Sequence, residues 1–364
     1  MTRVEDLDTP ALVVDLDIMG ANLRRVQDYC SSHGLGLRPH TKTHKSIGIA
    51  RRQLALGAVG LTVAKTGEAE VMLGAEPRDL LVAYPVVGDA KVRRLASLAA
   101  IGGSACKLTV SVDSLECGQR LSDAAVAAKV QLGILSEVDV GLNRVGVSAS
   151  DAVAFSKLVA AMPSLEWRGF AFYPGHIKSQ DPEKIAALSR TVGGLRAEFE
   201  AAGMTPEIVS GGSTPALYHS HEVEGLTEIR PGTYVYNDLN TVFGGGCELG
   251  DCAAYVLATV VSTSRPGQMI IDGGSKTFSS DKLSSGGPGH GRVMEAPGAL
   301  FHKMNEEHGF VDLSGVERGF RVGEKVRVIP NHVCVVMNLH EYVYGVRNGV
   351  VEEVWRVDAR GKLQ

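Results

Sequence analysis

CKLTVSVDSLECGQRLSDAAVAAKVQLGILSEVDV, residues 106–140, decides the fold. Residues 106–112 and 130–140 are apolar, β-branched runs of strand length, and residues 113–128 between them have helical composition. A strand, a helix and a strand in direct succession make a parallel pair joined by a crossover helix. The alternation continues outward in both directions. Upstream lie GLGLRPHTK (34–42), VGLTVA (59–64) and DLLVAY (79–84); downstream lie WRGFAFY (167–173), PEIVS (206–210) and TEIRPGTYVY (227–236). TGEAEVMLGA (66–75) and DPEKIAALSRTVGGLRAEFEAAG (181–203) are further helical segments between them. Eight strand-like runs favour a closed (β/α)8 TIM-type barrel over a doubly wound open sheet.

A barrel of this kind takes about 250 residues, and the chain has 364, so a second domain is expected. From about residue 245 the texture becomes β-rich and turn-punctuated: AAYVLATVVS (253–262), QMIIDGG (268–274), KVRVIP (325–330), VCVVMNL (333–339) and EYVYGVRNGVVEEVWRV (341–357). The expected organisation is therefore an α/β barrel over residues 16–245 followed by a mostly-β domain over 246–364. The opening strand within 5–15 is assigned to the second domain. The stretch SSGGPGHG (284–291) reads as a loop rather than a phosphate cradle, because no helix-forming segment follows it. Lys and Arg total 37 against 41 Asp and Glu, with 44% hydrophobic and 21% charged residues. That balance describes a soluble globular protein and argues against nucleic acid as a partner. The six cysteines form no CxxC pair, and MTRVEDLDTP at the start has no apolar core, which reads as a cytoplasmic protein with reduced thiols. No apolar run approaches the ~20 residues of a membrane span.

In a barrel of this class the chemistry sits where the strands end. The first strand ends in Arg38-Pro39-His40-Thr41-Lys42-Thr43-His44-Lys45, a cluster that is either a solvated basic turn or a reactive lysine whose pKa is lowered by like charge. Glu137-Val138-Asp139 with Arg144 follows the fifth strand, and Tyr173-Pro174-Gly175-His176 ends the sixth. Ser210-Gly211-Gly212-Ser213-Thr214 after the seventh and Pro231-Gly232-Thr233 after the eighth are ordinary βα turns or a phosphate site built from backbone amides. A mouth lysine together with a phosphate site describes a phosphorylated aldehyde cofactor, pyridoxal phosphate. In the β domain, His332 and Cys334 are two apart. On an extended segment this spacing puts them on one face, either as a buried thiol beside a surface imidazole or as two ligands of an open metal site. His308 and His340 read as structural. No dinucleotide, Walker A or G-x-S-x-G motif is present.

DTPALVVDLDIMGANLRRVQ, RPHTKTHK, EVDVGLNRVG, FYPGH, SGGSTPAL, EIRPGTYVYND, NEEHG and PNHVCVVMNLHE, in this order, resemble the fold-type III pyridoxal phosphate enzymes with their alanine racemase-like barrel. Within them the chain is similar to the D-threonine aldolase and D-serine dehydratase-like group. The resemblance implies that Lys42 carries the cofactor, with Lys45 as the competing choice. It places Arg144 near the cofactor 3-hydroxyl, Tyr173 against its ring, and Gly212, Ser213, Thr214, Gly232 and Thr233 around its phosphate. His332 and Cys334 then hold a divalent metal and His332 joins the catalytic group. Zinc is preferred and Mn or Mg are alternatives, because a thiolate is a soft ligand. The implied activity is that of a lyase on D-β-hydroxy-α-amino acids, with aldolase-type cleavage to glycine and an aldehyde placed ahead of dehydratase-type elimination to a keto acid and ammonia. Amino-acid racemisation ranks third. A homodimer is the implied assembly.

Overall fold

The computed structural model describes residues 2–364. The chain divides into two compact units, one made of the N-terminal residues through Arg24 with Thr43–Ser46 and Thr233–Arg360, the other of Arg25–Lys42, Ile47–Gly232 and Gly361–Gln364. Along the chain, β1 (Ala11–Asp15) and α1 (Leu16–Ser32) precede β2 (Gly36–Leu37), α2 (Ile47–Ala55), β3 (Leu61–Val63), α3 (Thr66–Met72), β4 (Asp79–Val82) and α4 (Asp89–Gly102). Then come β5 (Lys107–Val112), α5 (Leu115–Ala128), β6 (Leu132–Glu137), α6 (Ala152–Ala160), β7 (Leu165–Ala171), α7 (Pro182–Ala201), β8 (Ile208–Gly211), β9 (Glu228–Ile229) and α8 (Leu239–Phe243). The remainder is β10 (Ala254–Ser262), β11 (Gln268–Ile271), α9 (Ser275–Phe278), β12 (Gly291–Val293), β13 (Leu300–Met304), β14 (Gly309–Asp312), β15 (Lys325–Pro330), α10 (Val333–Leu339), β16 (Tyr342–Arg347) and β17 (Val350–Arg356). Among the described residues no helix is long and apolar enough to cross a membrane.

In the barrel unit eight parallel strands pair in the order β2, β9, β8, β7, β6, β5, β4, β3. His40, just past β2, bridges Thr62 of β3 in parallel, and the Thr41 amide donates to the Thr62 carbonyl while the Thr62 amide donates to that of Pro39. These bonds join the two ends of the sheet, as a (β/α)8 barrel requires. All eight strand-like runs of the sequence become these strands. Helices pack outside them: Trp167 and Phe170 of β7 lie 5.1 and 5.4 Å from Phe199 of α7, ring centre to ring centre.

One layer of the barrel interior is charged. Arg38 Nε donates to Glu228 Oε1 at 2.8 Å and its Nη1 to Asp79 Oδ1 at 2.8 Å. Arg168 Nη1 donates to the other Asp79 oxygen and to Thr109 Oγ1, each at 2.7 Å. Space for these guanidinium groups comes from missing side chains: a Cβ on Gly133 would meet Thr109 Oγ1 at 2.6 Å and Arg168 Cδ at 2.9 Å. Arg38 and Arg230, which the sequence places at strand ends beside the candidate site, are both buried, Arg38 in this ion network and Arg230 donating to Ser210 Oγ at 3.1 Å and to the Phe172 carbonyl at 2.8 Å. Because Asp79 neutralises two buried cations, Asp79→Ala should lower stability by about 3–5 kcal/mol, measured by chemical denaturation. A change within experimental error would show that water replaces the carboxylate freely.

The second unit is a mostly-β sheet. Its β10 pairs antiparallel with β1, β11 and β15, and β1 pairs in parallel with β16, so the opening strand belongs here. The hairpin β16–β17 turns at Asn348-Gly349, both with positive φ (49° and 76°), the backbone that a tight right-twisted hairpin needs. Three features differ from the sequence reading. The barrel unit begins at Arg25 rather than at residue 16. The division falls between Gly232 and Thr233 rather than at residue 245, because residues 233–245 form short helical turns whose bonds run to this sheet's loops: the Asn240 amide donates to Asn331 and the Ala253 amide to Tyr236. And VCVVMNL is not a strand but helix α10. Its β-branched composition favours a strand, but the buried carboxylate of Asp238 accepts the Val333 amide at 3.0 Å and satisfies a first-turn donor. Local capping therefore outweighs propensity.

Candidate active site

Three of the sequence-selected residues meet at one end of the barrel unit. Lys42 Nζ lies 5.9 Å from the centre of the Tyr173 ring, and the Arg144 guanidinium carbon lies 5.0 Å from it. Each is positioned by its own strand end. Lys42 follows His40 of the closing bridge. Arg144 sits on a loop folded by Asp139, whose carboxylate accepts the amides of Gly141 and Asn143 at 3.1 Å, and Val138 pairs with Val147 at its neck. Tyr173 lies over Gly175, where a Cβ would approach its ring carbon to 2.3 Å, so any other residue would displace the ring. Lys42 and Arg144 are exposed while Tyr173 is half-buried. The competing lysine is elsewhere: Lys45 is buried in the other unit, and its Nζ donates to the Ala359 carbonyl at 3.4 Å.

The Ser210–Thr214 turn has the form of an anion cradle. Gly212 has φ of 77°, a conformation that L side chains rarely adopt, and reverses the chain after β8. Ser213 then leads into a short helical turn starting at Thr214. The Ser213 hydroxyl is buried and has no hydrogen-bond partner among the described residues. A buried donor without a partner costs stability unless a ligand satisfies it, so the cradle fits a phosphate. Gly232 closes the barrel unit and is buried. Thr233 is the next residue in the chain, and its Oγ1 lies 3.9 Å from the Cys334 sulfur.

In the second unit, His332 ends the loop after β15 and Cys334 stands in the first turn of α10. They come together at a helix start rather than along a strand. The Asp238 carboxylate is completely buried and orients the ring, accepting from His332 Nδ1 at 3.0 Å while its other oxygen takes the Thr241 amide and hydroxyl at 2.9 and 2.8 Å. The Thr43 hydroxyl contacts the Cys334 sulfur at 3.2 Å. Burial alone would push the His332 imidazole down, but its hydrogen bonds to Asp238 and Cys334 outweigh that and carry it up to about 11. Burial likewise raises the Cys334 thiol, yet His332 and Thr43 pull it below its ordinary value. Other buried thiols move the opposite way, Cys30 to about 12 and Cys106 and Cys117 to about 11, through burial. A thiol that favours ionisation beside an imidazole fixed through Nδ1 is a soft donor pair for a divalent cation, and the outer carboxylate is the usual companion of a metal-binding histidine. Among the described residues no third His, Cys, Asp or Glu joins them, which leaves coordination positions for other oxygens.

His308 and His340 do not join this pair. His308 is exposed in the turn after β13, and His340 is half-buried with its Nε2 3.2 Å from the Thr277 carbonyl. Sequence reasoning missed Asp238 and Thr43. Asp238 carries a signal in retrospect, since an Asp three residues before Thr241 is an N-cap pattern for α8.

Residues 14–240 match the family described as alanine racemase, N-terminal domain, and residues 253–346 match the putative serine dehydratase domain. The 3-hydroxy-D-aspartate aldolase of Paracoccus denitrificans (strain Pd 1222) is 35% identical, with 98% of this chain and 93% of that protein covered. The crystal structure of D-threonine aldolase from Filomicrobium marinum is similar with a TM-score of 0.90 at 32% identity, covering 99% of this chain and 98% of that one. D-threo-3-hydroxyaspartate dehydratase from Delftia sp. HT23 is similar with a TM-score of 0.89 at 28% identity, covering 98% and 99%; a cysteine-to-alanine mutant of a D-threo-3-hydroxyaspartate dehydratase is described in its metal-free form. The barrel, the strand-end residues and these matches over nearly the whole chain lead to one assignment: the chain belongs to the fold-type III pyridoxal phosphate enzymes, in the group of D-threonine aldolases and D-serine dehydratase-like proteins.

Proposed function

We propose that the protein is a metal-dependent D-threonine aldolase-type lyase, which cleaves D-β-hydroxy-α-amino acids to glycine and an aldehyde. The metal-dependent lyase reading is carried by the His332–Cys334 pair, pre-ordered by Asp238, and its aldolase form is supported by the 35% identity to the 3-hydroxy-D-aspartate aldolase. A racemase has no use for such a pair. Pyridoxal phosphate, held by Lys42 with Gly212, Ser213, Thr214, Gly232 and Thr233, supplies the electron sink for a bond breaking at the substrate Cα. A divalent cation on His332 and Cys334, zinc by the softness of the thiolate and manganese or magnesium as harder alternatives, supplies Lewis acidity toward the β-hydroxyl.

The chain's own residues do the rest. With pyridoxal phosphate bound, the Lys42 amine would be its covalent anchor, the Tyr173 ring a wall, and the Arg144 guanidinium a donor for the 3-hydroxyl. Asp238 keeps the His332 Nδ1–H engaged so that Nε2 is the free nitrogen. The Thr43 hydroxyl stabilises the Cys334 thiolate. Aldol cleavage removes the β-hydroxyl proton and later returns a proton to Cα, whereas elimination removes the Cα proton and protonates the departing hydroxyl; in either case the proton at Cα would be carried by a base such as the Lys42 amine. The thiol ligand is the observation that favours elimination as the second reading, because the related dehydratase has been studied as a metal-free cysteine mutant. Within this proposal the enzyme works in the cytoplasm, in keeping with its free cysteines, and as a homodimer, as the resemblance implies. Incubation of the holoenzyme with D-threonine should give equal amounts of glycine and acetaldehyde, both lost on chelation and restored by a divalent cation. Formation of 2-oxobutanoate and ammonia would select elimination, and L-threonine would mark a racemase.

A further inference from the structure

The strands next to the one that carries Lys42 end in a second cation. Thr62 of β3 pairs with His40 across the closing seam, Lys42 follows His40 by two residues and Lys65 follows Thr62 by three, so both lysines leave neighbouring strands at the same end of the barrel. Lys65 is half-buried, and its Nζ lies 3.9 Å from the centre of the Tyr84 ring, which stands just past β4. The nearby acid Glu68 is occupied, its Oε2 accepting the Ala64 amide at 2.7 Å. Among the described residues no carboxylate forms an ion pair with the Lys65 ammonium, and the Tyr84 ring is the partner it has. An aromatic face holds an ammonium in place while leaving its N–H donors available. Its geometry is that of a cation waiting for an anion.

The reaction read above leaves one charged group of its substrate unassigned. Every α-amino acid brings a carboxylate, and of the mouth cations Lys42 is taken by the cofactor and Arg144 lies against Tyr173. We propose that Lys65, steadied by Tyr84, receives the α-carboxylate of the amino-acid substrate. This rests on the cofactor and substrate class proposed above. With the amine tied to the cofactor on the β2 side and the carboxylate to Lys65 on the β3 side, two of the substituents on Cα are fixed. The position of the third then depends on configuration, and that is what selecting one enantiomer requires.

The test compares wild-type holoenzyme with Lys65→Met and Lys65→Arg, titrating glycine and 2-aminoethanol while following the visible absorbance of the bound cofactor. The two amines differ in the carboxylate. Lys65→Met should weaken glycine binding by roughly tenfold or more, the size of one charge-assisted hydrogen bond, and leave 2-aminoethanol binding within about twofold, while Lys65→Arg should recover part of the glycine affinity. Equal glycine affinity in wild type and Lys65→Met would overturn the proposal, as would equal weakening of both amines, which would make Lys65 a contact of the cofactor. A holoenzyme that responds to neither amine would overturn the cofactor reading along with it.

Discussion

Lys42→Ala is expected to yield a folded protein without the visible absorbance of bound pyridoxal phosphate and with activity lowered on the order of 10³-fold or more. The expectation follows from geometry. Lys42 is exposed at the barrel end where Tyr173 and Arg144 converge, so it has the freedom a covalent anchor needs and little role in packing. Lys45 has the opposite character, since it is buried, has φ of 51° and donates to a backbone carbonyl. Replacing Lys45 should therefore cost stability and leave the cofactor absorbance in place. Spectra and thermal melts of the two variants separate these outcomes, and loss of absorbance in the Lys45 variant alone would reverse the assignment.

Cys334→Ala should give the second large effect, loss of the bound metal together with a fall in activity on the order of 10²-fold or more, while the cofactor spectrum is retained. In the proposed site the thiol is one of two protein donors among the described residues, so its removal would leave His332 alone. The surroundings support a thiolate, since Thr43 and His332 both stabilise it. Elemental analysis of the purified variant, paired with its absorbance spectrum, is the measurement. Wild-type metal content in Cys334→Ala would remove Cys334 from the metal site.

What the sequence shows is uneven in a physically consistent way. The eight barrel strands are legible because each run carries apolar and β-branched residues between helical neighbours, even though Asp79, Thr109, Arg168 and Glu228 of the buried polar layer interrupt the pattern. The division at Gly232 is not legible, because Thr233–Phe243 has neither strand nor helix periodicity and owes its place to backbone bonds with Asn331 and Ala253. The helix at Val333 is hidden for a related reason: its cap comes from Asp238, nearly a hundred residues away in sequence. Polar strand ends pointed to Lys42, Arg144 and Tyr173, which meet in the structure. The same signal also drew in Arg38 and Arg230, whose charges are spent on Glu228, Asp79 and Ser210 inside the barrel. Conversely Lys65 and Tyr84 ended runs too apolar to draw notice.

Reductive trapping reads directly which residue binds the cofactor. Holoenzyme reduced with borohydride, digested and sequenced by mass spectrometry should carry the phosphopyridoxyl mass on the peptide at Lys42. The same mass on Lys45, or on no lysine of the RPHTKTHK stretch, would contradict it.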